Sequence, residues 1–179
     1  MSNVISILLF LGWEPVEFHT WKDNNGIYWH LNSRVPPLVC VKALVDSYVD
    51  RELERASQHF DGAGLDGGVD WDSTLHIIRN AKKENMLKIK SVLESIMSAC
   101  MWPLCRIHAI NPNVAKLCPR CGAREEDSWH CYWGCHKNAE IDSPSMRDTQ
   151  NLAHQALSDG ANECMWLRGL LPKSKTTYK

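Results

Sequence analysis

The chain has 179 residues, 44 % of them hydrophobic, which fits one domain or one domain with a small satellite. Its formal net charge is −1, which excludes a global pull toward nucleic acid; any such binding has to come from local patches. Eight tryptophans and eight cysteines are unusual counts, and both demand partners: buried indole N–H groups need acceptors, and thiols in numbers point to disulfides or metal.

Residues 3–12 read as a short helix. The apolar run of residues 4–11 is too short to span a bilayer and has no basic segment before it, so neither membrane insertion nor secretion is expected. A reducing intracellular compartment, nuclear or cytoplasmic, fits better, with Cys40, Cys100, Cys105 and Cys164 as free thiols of the core type. Residues 16–21 alternate, residues 22–26 carry turn chemistry centred on Asn25-Gly26, and residues 27–31 are β-rich. Together they predict a β-hairpin that has to pack on helices. His19 and His30 on it lack a third ligand and read as surface or boundary histidines.

Pro36-Pro37 ends that unit. Residues 38–60 show a one-sided helical stripe of Val41, Leu44, Val45, Tyr48, Val49, Leu53, Ala56 and Phe60, with Lys42, Asp46, Asp50, Glu54 and Arg55 on the solvated side. The glycine-rich run 61–68 has neither a preceding strand nor a Lys-Ser/Thr, so it is no phosphate loop; it reads as a flexible connector. Asp72 or Ser73 caps a helix to about Lys82, and a break at Glu84-Asn85 precedes a second helix to about Met101 with Ile89, Val92, Leu93 and Ile96 in its stripe. Arg79, Lys82, Lys83, Lys88 and Lys90 make this the most basic stretch of the chain. Pro103 opens a short helix, and Asn111-Pro112-Asn113 is a turn. Beyond residue 138 a polar loop, a modest helix over 148–157 and an apolar segment, 164–171, are expected. That segment is placed to dock on the helix before Cys100, and residues 172–179 read as a frayed basic tail.

The motif that organises the chain is Cys118-Pro-Arg-Cys121, then eight residues, His130, then four residues and Cys135. Three thiolates and an imidazole are a donor set for tetrahedral zinc, and four protein ligands make a closed structural site. Gly122 allows a positive φ beside the first pair, and Gly134 lets the chain bend before the last ligand. His136 is an alternative to Cys135 as fourth ligand. Trp129 and Trp133 flank His130 and either cover the metal or stack bases.

The run LCPRCGAREEDSWHCYWGC resembles the Cys-Cys-His-Cys segment that follows the polymerase in non-long-terminal-repeat retrotransposon polyproteins. The preceding SACMWPLCRIHAINPNVAK is similar to the helix and linker that lead into that finger. GVDW and ECMWLRGLLP look like its flanks in retroelement-derived proteins of dinoflagellate type. His136-Lys137-Asn138 replace the apolar and proline neighbours usual after the last cysteine. The resemblance implies a reverse-transcriptase-associated zinc finger that helps to handle template or target DNA beside other parts of a polyprotein.

The expected architecture is mainly α with a small β-hairpin and an irregular zinc-binding mini-domain. It divides into 1–61 (hairpin plus long helix), 69–112 (helical), 113–138 (finger) and 139–179 (C-terminal helical segment and tail). Cys118, Cys121, His130 and Cys135 are the zinc ligands. DNA or RNA would meet Arg79, Lys82, Lys83, Lys88 and Lys90, together with Lys116, Arg120, Arg124 and Lys137 around the finger. No Tyr/Phe-x-Asp-Asp pair, endonuclease or ribonuclease H constellation is present in the sequence, so no catalysis is expected. A thiol nucleophile at Cys131 or Cys135 beside His130 or His136 is the one enzymatic alternative, and it requires a depressed thiol pKa. A zinc-stapled interaction domain that binds no nucleic acid is the other alternative. Cys118→Ala is expected to unfold 116–138 and to spare the helices before Cys105.

Overall fold

A computed structural model describes residues 2–31 and 36–173. The fold is mainly α, with one small antiparallel sheet and a cysteine-rich knuckle. It divides into two compact units, Met1–Ala56 and Ser57–Lys179.

In the first unit, α1 (Ser2–Phe10) leads into β1 (Glu14–Glu17), β2 (Thr20–Lys22) and β3 (Tyr28–His30), paired antiparallel in the order β1-β2-β3. The expected two-stranded hairpin is therefore a three-stranded meander. Its first run breaks at Phe18-His19, where His19 takes φ 85°. The β2–β3 turn forms where Asn-Gly placed it. Buried Asp23 fixes it by accepting the N–H groups of Asn25 and Ile27 and the indole N–H of Trp29, each at 2.9 Å. His30 Nδ1 lies 3.0 Å from Thr20 Oγ1, and His19 packs edge-on against Phe18; neither joins a metal-binding group.

Leu8, Leu11, Trp13 and Trp21 form the small core of this unit. Trp13 stacks on Trp29 and donates its indole N–H to Ser47 of α2 (Pro37–Ser57) at 2.9 Å. That bond helps decide which side of α2 turns inward. Ser47 is buried, while Val41, Val45 and Tyr48 of the expected apolar stripe are about half exposed. A buried indole left without an acceptor costs about 1–3 kcal/mol, comparable to the roughly 1.5–3 kcal/mol from burying one such side chain. Ser47 faces inward together with Ala43 and Leu44, which pack against this core.

In the second unit the glycine run is a packed turn rather than a flexible connector. Leu65 and Val69 are each 1 % exposed. Gly64, at φ 95°, sits so close to the 161–164 stretch that a Cβ would stand 3.1 Å from the Ala161 carbonyl and 3.2 Å from Cys164 Sγ. The turn ties to the C-terminal segment through Cys164 N–H to Ala63 O, Asp70 N–H to Leu171 O and Lys173 N–H to Gly68 O. Pro172, expected in a frayed tail, is buried and pairs with Val69. The rest of that tail, 174–179, lies outside the described residues.

Asp70, not Asp72 or Ser73, caps the next segment, accepting both of their N–H groups at 3.1 Å. Then come α3 (Trp71–Thr74), α4 (His76–Lys83) and α5 (Leu87–Met97), the last two forming a helical hairpin. α6 (Leu104–Ile110) precedes the knuckle. After it, the expected loop over 138–148 instead holds a 3-10 turn (His136–Glu140) and α7 (Pro144–Thr149), whose first residue is a proline suited to that place. α8 (Ala153–Ser158) and α9 (Glu163–Arg168) complete the chain. α9 docks on α5 as expected, and Arg168 donates to the Met97 carbonyl at 3.0 and 2.7 Å, capping the C-terminus of α5. Cys164 is fully buried, but Cys100, expected in the core, is exposed.

Candidate metal centre

The knuckle starts on a narrow turn. Leu117 bridges Glu125, Glu126 N–H donates to Lys116 O and Cys118 N–H to Arg124 O, each bond 2.8 Å long. Gly122 N–H returns to Cys118 O at 2.8 Å with Gly122 at φ 64°, the left-handed geometry its identity suits. Two thiols are thereby set on one side of one turn.

The second half of the site comes from a π-turn, His130–Gly134. On an α-helix residues five apart point about 140° away from each other. The wider i→i+5 turn brings such residues back over one face, so His130 and Cys135 can reach a common centre. Asp127 starts this turn by accepting the His130 N–H at 2.6 Å, and buried Ser128 anchors it to Asp61 Oδ2 at 2.9 Å. Gly134 has no left-handed φ, and a Cβ there would make only an ordinary 3.6 Å contact, so its role as a special bend is not required.

The ligand atoms of Cys118, Cys121, His130 and Cys135 all lie within 4.8 Å of one another, the one such group among the described residues. Cys118 Sγ is 3.9 Å from Cys135 Sγ, and Cys121 Sγ is 3.3 Å from His130 Nε2. A tetrahedral ion with sulfur arms of roughly 2.3 Å and a nitrogen arm of roughly 2.05 Å has S–S and S–N edges of about 3.8 and 3.6 Å. The donor set is thus spaced to hold a metal ion. His136 stands outside it, exposed on the following 3-10 turn.

Backbone N–H groups and burial compete to set the electrostatics of the thiols. Burial pushes the Cys118 thiol up, but the N–H groups of Cys121 and Arg120 outweigh it and hold the thiol below its ordinary value. Cys121 is lowered chiefly by the Ala123 N–H, against burial and with help from Arg124 N–H. Cys135 is raised, burial dominating over the Lys137 N–H. Cys131 is raised by burial and then by Glu126, the opposite of what a nucleophile needs. His130 turns Nε2 toward the thiols; its buried Nδ1 has no hydrogen-bond partner among the described residues.

The aromatic flanks pack. Trp133 donates to Trp166 O at 2.9 Å and meets its ring edge-to-face, and Trp129 donates to Glu163 at 3.4 Å. Asp127, Ser128 and Asn138 were not among the predicted functional residues. Asp127 was nonetheless legible as a capping residue three before His130.

The expected phosphate-contacting cations are placed unequally. Arg120 clamps the knuckle, donating to Cys131 O at 2.6 Å and to Asn138 Oδ1. Arg79 pairs with Asp72, Lys90 with Glu94, Lys116 with Glu125 and Lys137 with Glu140. Lys82 and Lys83 end α4 and Lys88 begins α5, so the helical hairpin gathers these three exposed lysines at one corner. No helix among the described residues is long and apolar enough to cross a membrane. Comparison with protein-family models, curated proteins and solved structures finds no match to the chain.

Proposed function

We propose that the chain is a non-catalytic, zinc-bearing nucleic-acid-binding segment of retrotransposon polyprotein origin, working in a reducing nuclear or cytoplasmic compartment beside other parts of that polyprotein. The observation that carries the reading is that the ligand atoms of Cys118, Cys121, His130 and Cys135 all lie within 4.8 Å of one another. Three thiolates and an imidazole favour zinc, and four protein ligands favour a structural role over a catalytic one. Nucleic acid meets the Lys82, Lys83 and Lys88 corner, whose charges are exposed, with Arg124 as an exposed cation of the knuckle. The resemblance of the finger and its flanks to reverse-transcriptase-associated segments supports the same assignment.

The test is metal analysis followed by binding to single- and double-stranded DNA and RNA across a salt series. One zinc per chain is expected, with affinity that falls as salt rises. The slope of log K against log[salt] is set by the phosphates neutralised, at about 0.7–0.9 each. Replacing Lys82, Lys83 and Lys88 by alanine lowers it by up to about 2–3. A flat salt response in the zinc-loaded protein rules the reading out.

A second reading, a zinc-stapled domain for protein interaction, is favoured by one observation. The α4–α5 hairpin leaves Ile77, Leu87, Ile89 and Val92 half exposed or more. Protein capture that survives high salt, without nucleic-acid binding, supports this alternative.

A further inference from the structure

A cavity of about 690 Å³ lies between the last metal ligand and the C-terminal helices, within the size range of small-molecule sites. One wall is the 133–136 stretch of the knuckle, and the others come from α5, α7, α8 and α9. Trp133 and Trp166 line it as an edge-to-face pair, centroids 5.6 Å apart at 87°. In such a pair the ring that offers its edge keeps both its own faces clear of the other. Met146 and Met165 add adaptable apolar surface.

The polar groups of the lining narrow the ligand class. Among the described residues no aspartate or glutamate lines the cavity, whereas Arg147, His154 and Gln150 do. Arg147 pairs with Asp142 at 2.6 Å, but both side chains are largely exposed, so the pair is weak and can yield to a stronger anion. Gln150 carries a donor and an acceptor on one amide and is exposed. A purely aliphatic ligand would make no use of these groups. A planar heterocycle with hydrogen-bonding edges and an attached anion satisfies the aromatic wall, the amide and the guanidinium together.

We propose that this cavity takes one unpaired nucleotide, its base against the tryptophan wall and its phosphate at Arg147. The inference rests on the nucleic-acid reading and adds to it a preference for single strands, because a base stacked and paired inside a duplex cannot turn its face to the tryptophan wall.

The test uses the zinc-loaded full chain and its intrinsic tryptophan fluorescence. The probes are adenosine monophosphate, adenosine, a single-stranded oligoadenylate and the matching duplex. Saturable quenching by the monophosphate is expected, about tenfold weaker for adenosine, with the single strand bound more tightly than the duplex. Arg147→Ala, on an exposed side chain, abolishes the difference between the monophosphate and adenosine. Ala153→Phe, which fills the cavity, removes quenching by both; unchanged zinc content and circular dichroism establish that it still folds. Monophosphate binding that ignores both substitutions overturns the proposal. So does its absence while oligonucleotides still bind with a salt slope that depends on Lys82, Lys83 and Lys88; that result leaves the basic-corner reading intact. If no nucleic acid of any kind binds, both readings fall together. Displacement of a dye from the cavity by an apolar peptide but not by the monophosphate also overturns it.

Discussion

Cys118 and Cys131 share a turn-rich segment, yet their surroundings fit them for different tasks. Cys118 is fully buried among N–H donors that stabilise its thiolate; Cys131 is half buried and its thiol is pushed up. Cys118→Ala is expected to lower zinc affinity by more than about a hundredfold, since even partners of the ligands are worth 10–100-fold. Cys131→Ala is expected to leave it within a few-fold. Competition with a chromogenic chelator measures both. Cys164 answers to pH instead. Burial raises its thiol from 9.0 to about 11. Below pH 9 the thiol keeps its proton whether the chain is folded or not, so it adds no pH dependence. Between pH 9 and 11 the unfolded chain releases the proton while the native one keeps it, so stability falls as pH rises, by at most about 1.4 kcal/mol per unit. Denaturant melts of Cys164→Ala against the parent chain over that range isolate the effect, and the variant's curve should be the flatter one.

The helix ends show why some boundaries were legible and others not. α4, α5 and α9 each close with a residue in the left-handed region: Asn85 at φ 57°, Ala99 at 55° and Gly169 at 67°. At the first two, Met86 N–H reaches Ala81 O and Cys100 N–H reaches Ser95 O, the six-to-one bond of a Schellman cap. Asparagine tolerates that conformation, so the break at Asn85 can be read from sequence. Alanine is the best helix former, so the sequence extends the helix to Met101 and the structure ends it at Met97. A left-handed alanine costs about 1–2 kcal/mol, partly offset because glycine has more freedom to lose on folding. Ala99→Gly is therefore expected to stabilise the second unit by up to about 1 kcal/mol, a rise of a few degrees in Tm. A drop in Tm would contradict the cap. The split of the first β-run at His19 was hidden for a similar reason, since no glycine or asparagine marks it. The burial of Ser47 was hidden because its reason, the Trp13 indole, lies far off in sequence.

At the scale of the whole chain, the Cys118, Cys121, His130 and Cys135 group could be read because thiols and imidazole at metal spacing have few other uses. The cation pairings were less legible, because spacing says nothing of pairing; Arg120, expected at phosphate, donates to Cys131 O and Asn138 Oδ1 across the knuckle. The same limit applies to the reach of the metal. Sequence alone confines the damage of zinc loss to 116–138. The structure wires that knuckle outward: Glu126 accepts the N–H groups of Leu104 and Cys105 on α6, Ser128 holds the Asp61 turn, and Trp129 and Trp133 bond to α9. α9 in turn caps α5 through Arg168 and binds the glycine turn at Ala63. Structural zinc in small fingers supplies about 10 kcal/mol or more, on the order of the whole stability of a domain. Chelation should therefore loosen the second unit well beyond the finger, including the α6 helix and the packed turn over 61–69. The first unit has its own core at Leu8, Leu11, Trp13 and Trp21, and none of its described residues joins the ligand group. Hydrogen exchange before and after chelation reads the extent. Protection lost across residues 61–69, α6 and α9, but kept at Trp21 and Trp29, is the expected pattern; loss confined to 116–138 would show that these bonds do not couple the knuckle to its neighbours.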